Sequence, residues 1–204
     1  MRNDLDLMEI IRGRRSVRRY QDRPVPRKLL EEILEAARWA PSPHGRQPWR
    51  FVVLTRDAPK LALAAAMGDE WRRQLALDGQ APEVIETRFS KSHERIIRAP
   101  AIVIPCLYLA ELDVYPDVDR NAAEATMAIQ SLGCAVQNML LTAYSLGLDG
   151  GWMCAPLFCP EVVVGALDLD TTLIPHALIT LGYAAADPIR RERLPLDRLI
   201  VRFD

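Results

Sequence analysis

Apolar residues recur along most of the chain at helical or strand spacing, and the breaks in that spacing divide it into elements. Asp4 to Gly13 carries Leu5, Met8 and Ile11, with Leu7 beside them, on one side, which predicts a short helix ended by Gly13. Arg14 to Tyr20 follows without helical period. Pro26 suits the first turn of a second helix, in which Leu29, Leu30, Ile33, Leu34 and Ala37 form a stripe and Glu31, Glu32 and Glu35 face water. Pro41 and Pro43 stop it at Ala40. Trp49 to Thr55 reads as a strand, Ala58 to Met67 as a small helix, and Asp69 to Gly79 with Pro82 to Ala99 as a polar helical excursion. Ala101 to Leu109 is a buried strand whose Pro105 calls for an edge or a bulge.

Beyond a loop over Glu111 to Val118, residues 119 to 146 predict one helix of about 28 residues, about 42 Å long. Its second half is apolar on every side, which in a domain of this size predicts that a second subunit covers part of it. GGWMCAP and LIPHALITLGY read as strands separated by a helix from Pro160 to Leu167. The tail, Asp187 to Asp204, is rich in arginine, and its LIVRF is apolar enough to pair as a strand. With no repeat, linker or low-complexity stretch, residues 1 to 204 are expected to form a single α+β domain.

Half of the 204 residues are apolar and 26% are charged, with a formal net charge of −1. Such a chain builds a real core and has no global attraction to nucleic acid or anionic membrane, so any phosphate site must be local. The N-terminus lacks an apolar signal region, and the longest apolar run, Ala101 to Ala110, is half of what a bilayer requires. A soluble cytoplasmic protein is expected. Four cysteines, at 106, 134, 154 and 159, and three histidines, at 44, 93 and 176, show no metal-ligand spacing. No metal is expected, and most of the cysteines read as buried small apolar residues. Of the 26 basic residues 23 are arginine, a bias that weakens the meaning of any single one.

G-x-G-x-x-G, Walker A and G-x-S-x-G signatures are absent, which excludes the common nucleotide folds and the nucleophile elbow. Three clusters remain. Arg14, Arg15, Ser16, Arg18 and Arg19, just past a helix end, can cradle a phosphate, although a solvated basic turn has the same composition. Residues 40 to 49, with three prolines and donors at Ser42, His44, Arg46 and Gln47, suit a preformed ligand loop as well as a plain connector. Gly147, Gly150 and Gly151 allow close approach of backbone amides to a planar ligand, or simply cap a helix.

In this order the clusters resemble the FMN-dependent nitroreductase family over nearly the whole chain. RRSVRRY, AARWAPSPHGRQPWRFVV, AVQNMLLTAYSLGLDGGWM and LGYAAADPIRRERLPLDRLI carry the resemblance. A narrower likeness is to the C-terminal reductase domain of the bifunctional ligase that glutamylates the 8-hydroxy-5-deazaflavin coenzyme. It rests on Ala40 to Val53, Trp71 to Gly79, Tyr115 to Asp117, Ala123 to Met127, and Gly151-Trp152 with the following P-L-F. No ligase domain is expected beside it. The resemblance implies a nitroreductase-like fold: a central mixed, mostly antiparallel sheet flanked by helices, with a long buried helix at a homodimer interface. It implies FMN at each of two subunit interfaces.

By that resemblance Arg14, Arg15, Ser16 and Arg18, with Arg191 and Arg193 from the tail, hold the phosphate and ribityl chain. Pro41, Ser42, Pro43, His44 and Arg46 belong to the cofactor site through the neighbouring subunit. Gly150 and Gly151 offer amides to the ring, so a valine at 151 is expected to meet the ligand rather than the core. Gly68, by contrast, is expected in a surface connection. Trp71, Arg72, Arg73, Arg88 and Tyr115 are assigned to substrate. Bland readings stand beside these: His44 orients its loop, His93 faces solvent, His176 is partly buried, and Gln130 and Gln137 pack in a dimer.

The implied enzyme is an oxidoreductase that transfers hydride through flavin N5, with no catalytic side chain, to a small conjugated acceptor such as a deazaflavin-coenzyme precursor. NAD(P)H or reduced deazaflavin is the donor. A general nitro- or quinone reductase and a non-catalytic flavin or phospholigand carrier are the alternatives. Nucleic-acid binding is disfavoured, because no aromatic residues interleave the basic clusters.

Overall fold

The structure, a computed structural model, describes residues 2, 5–187 and 192–204. Helix α1 is Leu7–Gly13. It begins where a capping box satisfies its first donors: the Asp6 carboxylate accepts the Glu9 N–H at 2.7 Å, and the Glu9 side chain accepts the Asp6 N–H at 2.8 Å. The expected start at Asp4 lies outside the described residues. Helix α2, Arg27–Arg38, buries Leu30, Ile33 and Ala37, the stripe its spacing predicts.

Five strands form one sheet: β1 (Trp49–Leu54), β2 (Ala101–Tyr108), β3 (Asp149–Met153), β4 (Leu173–Pro175) and β5 (Leu178–Gly182). Their order is β1-β2-β5-β3, with β4 beside β2 beyond the end of β5, and every ladder is antiparallel. The segment after α1 adds a parallel bridge, Ser16 to Gly150, and an antiparallel one, Tyr20 to Ala184, which makes the sheet mixed. Helix α3 is Asp57–Leu77, α4 Pro82–Ile97, α5 Val118–Ser145 and α6 Pro160–Leu167. Along β2 the side chains alternate: Ala101, Val103 and Leu107 join the core under α2 and α5, whereas Ile102, Ile104 and Cys106 join the one under α3 and α6. A strand buried on both faces is apolar throughout, which explains why AIVIPCLY shows no alternation in sequence.

Pro105 is not at an edge. It pairs with Phe51 on one side, and on the other it faces a bulge. Cys106 opposes Pro175 and Val103 opposes Ile179, so three residues of the partner run face two of β2. The His176 N–H donates to the Pro105 carbonyl at 2.9 Å.

Helix α5 packs Ala128, Leu132, Ala135, Val136, Met139, Leu140 and Ala143 inward. Within one chain it is not covered on all sides, because Ile129, Gln130, Cys134 and Gln137 are exposed. Gly147, at φ 83°, closes the helix: its N–H reaches the Tyr144 carbonyl at 3.0 Å, and the Leu148 N–H reaches that of Ala143 at 2.9 Å.

Three expectations are corrected. The chain does not break at Gly68; α3 runs through it, because the Phe89 ring of α4 lies where a side chain at 68 would stand. Leu199 to Phe203 form no strand but follow a short 3₁₀ turn at Leu196–Arg198, with Val201 and Phe203 exposed. Of the cysteines, 106 and 159 are buried and 134 and 154 are exposed. Among the described residues no helix is long and apolar enough to cross a membrane, and no group of side chains could hold a metal ion.

Candidate functional site

Past α1 the chain lies against β3 in extended form, held by the Val17 N–H on the Gly150 carbonyl at 2.9 Å. Val17 is buried, so at strand spacing Arg14, Ser16 and Arg18 share the opposite face. Arg15 turns back instead. Its Nη1 donates to the carbonyls of Arg12, at 3.0 Å, and Gly13, at the C-terminal end of α1. Its Nε is buried with no partner among the described residues. Arg14 loses proton affinity through burial first, then through repulsion from Arg193 and Arg15. Three guanidinium groups thus converge, and among the described residues none is ion-paired. A buried donor without an acceptor and mutually repelling cations are costly in water-excluded surroundings, and a bound anion relieves both. Arg191 lies outside the described residues.

Arg18 lines a cleft of about 500 Å³ together with Arg19, Tyr20, Ala185, Lys91, Glu94 and Arg95 of α4, and Arg98, which caps that helix. A second cavity, of about 610 Å³, lies between α3, α4 and the chain after β3. Met67, Trp71, Met153, Ala155 and Phe158 give it apolar walls, and Glu70, Gln74, Ser92, Arg95 and Cys154 give it polar points. Arg95 lines both spaces, so they adjoin at its side chain. Gln74 ties the second cavity together, donating to Glu70 at 2.8 Å and to the Phe158 carbonyl at 3.4 Å. The hydrogen bonds from Arg73 and Gln74 hold the Glu70 carboxyl down at about 2, so it stays charged.

Of the residues assigned to substrate, Trp71 lines the second cavity. Arg72 instead joins α3 to α4 through two 2.9 Å contacts with Glu86, makes a 3.1 Å contact with Asp69 of its own helix, and its guanidinium lies 3.3 Å from the centre of the Phe89 ring. Arg73 pairs with Glu70 at 2.7 Å. Arg88 is exposed on α4, and His93 is half-buried against Phe89 at 5.4 Å between ring centroids. Tyr115 is elsewhere, its backbone bracketed by Asn121 at 2.9 and 2.8 Å. Sequence reasoning missed Lys91, Ser92, Arg95 and Cys154. The available signal was the spacing of Arg88, Lys91, Arg95 and Arg98, which repeats one face of a helix.

The proline loop is built tightly. His44, at φ 54°, and Gln47, at φ 49°, occupy the left-handed region that disfavours side chains. The Ser42 hydroxyl accepts the Gln47 N–H at 3.1 Å, and Arg46 pairs with Asp113 at 2.5 Å. Pro41, His44 and Arg46 are exposed, while Ser42 and Pro43 are half-buried. None of the five lines either cavity within this chain. The loop therefore presents a rigid, strained edge outward.

The two glycines are constrained by the protein around them. A Cβ at Gly151 would press on the Val17 carbonyl oxygen and stand 2.8 Å from the Thr180 hydroxyl; one at Gly150 would stand 2.8 Å from Leu140. Both lack side chains because three extended segments and α5 crowd them. The valine expected to meet a ligand at 151 meets the protein itself.

The sequence model described as the Nitroreductase family matches residues 11–183. An NADH dehydrogenase of Thermus thermophilus is 33% identical over 227 aligned residues, covering 97% of this chain and 96% of the relative. A protein of Methanothermobacter thermautotrophicus, assigned as an NADH dehydrogenase/NAD(P)H nitroreductase, is 30% identical over 96% of this chain and 86% of its own. Among solved structures, a nitroreductase of Desulfovibrio desulfuricans in complex with FMN superimposes with a TM-score of 0.76 at 28% identity, covering 98% of both chains. A BluB-like flavoprotein of Clostridium difficile shares the fold, with a TM-score of 0.81 at 21% identity over 98% of this chain and 100% of its own.

Proposed function

The chain belongs to the nitroreductase family and is an oxidoreductase, and from that premise we propose that it binds FMN and carries electrons from NAD(P)H to small conjugated acceptors of the nitro or quinone type. The observation that carries this reading is the buried Arg15 Nε without a partner beside the converging Arg14 and Arg193. A phosphate fits that donor set, since it neutralises the cations and accepts several hydrogen bonds at once. Arg14, Arg15, Ser16 and Arg193 would hold the phosphate, with Arg191 added by resemblance. Arg18 and Arg95 would lie along the ring.

Bound there, FMN would supply reversible two-electron chemistry. The residues do the rest. Arg95 brings positive charge to the junction of the two cavities and Arg18 to the cleft beside it, and such fixed cations would stabilise negative charge on a bound ring. Trp71 and Phe158 offer aromatic faces to a planar acceptor and keep water from it. The homodimer is part of the same reading: the exposed stripe of α5 seeks a partner, and the outward loop with Pro41, Ser42, Pro43, His44 and Arg46 would complete the site of a second copy. The deazaflavin coenzyme or its precursor is the narrower acceptor, and its reduced form the narrower donor. The motifs at Trp71 to Gly79 and Tyr115 to Asp117 support it.

Anaerobic titration of the FMN-loaded protein with NADH, NADPH and reduced deazaflavin, one at a time, tests the reading. Bleaching of the flavin band by a nicotinamide donor, with recovery on adding a quinone, is expected. Bleaching by deazaflavin alone selects the narrower reading, and no bleaching by any donor leaves a flavin carrier.

A further inference from the structure

The cleft beside Arg18 holds more positive charge than one flavin can use. Five cations, Arg18, Arg19, Lys91, Arg95 and Arg98, face a single carboxylate, Glu94. Glu94 is already spent on Arg98, at 2.9 Å. Arg18, Arg19, Lys91 and Arg95 have no ion-pair partner among the described residues. This cleft shares no lining residue with the Arg14, Arg15 and Arg193 group. Helix α4 and its C-cap build one wall, since Lys91, Arg95 and Arg98 recur at four and three residues and so fall on one face, with Arg88 one turn earlier. Glu94 pairs with Arg98 along this wall, but Lys91 and Arg95 have no such partner among the described residues and repel one another. Only an outside anion neutralises them. Guanidinium groups favour phosphate, which they meet two hydrogen bonds at a time.

Arg95 then sets the shape of that anion's carrier. Because the same side chain lines the aromatic cavity of Trp71 and Phe158, a molecule can extend from the cationic cleft into an apolar space of about 610 Å³. We propose that Arg19 and Lys91 form a phosphate subsite for the second substrate, so that the enzyme selects redox partners with a planar head and a phosphorylated tail. This rests on the flavin reading above, with Arg18 and Arg95 given to the cofactor. A nicotinamide dinucleotide has the required form, and one with an additional phosphate on its ribose meets the surplus charge better.

The test uses FMN-loaded protein, as wild type, Arg19→Gln, Lys91→Gln and the double variant, with Lys28→Gln on the exposed face of α2 as a control. Steady-state kinetics are measured with NADPH, NADH and 1-benzyl-1,4-dihydronicotinamide, a donor with the same head and no phosphate. The double variant is expected to raise KM for NADPH at least 10-fold and for NADH less, and to leave KM and kcat for the benzyl donor unchanged. Calorimetric titration with adenosine 2′,5′-bisphosphate gives a readout independent of turnover. Wild type and Lys28→Gln should bind it, with an affinity that falls as salt rises, and the double variant should not. Equal KM changes for all three donors, or equal binding of the bisphosphate by wild type and double variant, overturns the subsite. If the bisphosphate binds as expected while no donor bleaches the flavin, the subsite stands and the oxidoreductase mechanism fails instead.

Discussion

The packing around β3 and the two basic groups near it, one beside α1 and one in the cleft against α4, are built on opposite terms. Around β3 every group is provided for: Gly150 and Gly151 are bare because Leu140, Val17 and Thr180 fill the space, and the Tyr20 hydroxyl reaches the Thr180 hydroxyl at 2.7 Å and the Val17 carbonyl at 2.8 Å. Buried in this way, the Tyr20 phenol is pushed well above its ordinary value and stays protonated. Among the basic groups, by contrast, Arg14 and Arg193 repel and Arg15 Nε lacks an acceptor, and in the separate cleft beside α4 four cations have no ionic partner among the described residues. A region satisfied from within serves stability, and one left unsatisfied is completed by something that binds. The missing side chains of Gly150 and Gly151 belong to the first kind, since the space a Cβ would need is filled by the protein itself.

The sharpest way to break that contrast is Gly151→Val. Its side chain would be driven into the Val17 carbonyl, part of a backbone that cannot retreat without losing the bridge to Gly150. A loss of about 3 kcal/mol or more is expected in urea unfolding of the protein without cofactor. A folded variant of normal stability would show that the space around Gly151 is not closed by the protein. Gly68→Ala comes next, at about 1 to 3 kcal/mol, because the Phe89 ring must move aside. On the other side of the contrast, Arg14→Ala should leave the melting temperature of the cofactor-free protein unchanged or slightly raised, since it removes one of three repelling cations. A clear drop in Tm would show that Arg14 serves the fold.

The smallest effect is a pH slope. Burial lowers the pKa of His176 from 6.5, so the unfolded chain takes up its proton more readily than the folded one. Stability present above pH 6.5 is therefore lost as pH falls from there toward the lowered folded value. His176→Gln should flatten that slope in thermal melts between pH 7 and 5 relative to the wild type, and an unchanged slope would assign it to other groups.

The two regions also differ in how readable they were. Periodicity located α2, β1, β2, α5 and α6 to within about two residues, because each buries a face whose spacing no neighbour alters. It broke α3 at Gly68, where the glycine is required by a ring 21 residues later in sequence, a contact that local spacing cannot register. Arg14 to Arg18 stood out as a dense basic run after a helix end. Lys91 and Arg95 did not, since charges on a polar helix look the same whether they face water or a cleft, and only packing of α4 beside Arg18 and Arg19 separates the two. Cys154 was passed over as a small core residue and proves exposed at the cavity.

Whether the unsatisfied arginines await a phosphate is best decided by equilibrium titration of the cofactor-free protein with FMN and with riboflavin, which differs only in lacking that phosphate, for the wild type and for Arg14→Ala/Arg193→Ala. Each charge-assisted contact is worth about 1.5 to 3 kcal/mol, so the wild type should prefer FMN by at least about 10-fold and the double variant should bind the two ligands nearly alike. Equal affinity of the wild type for both, or a preference that survives loss of both arginines, would contradict the account.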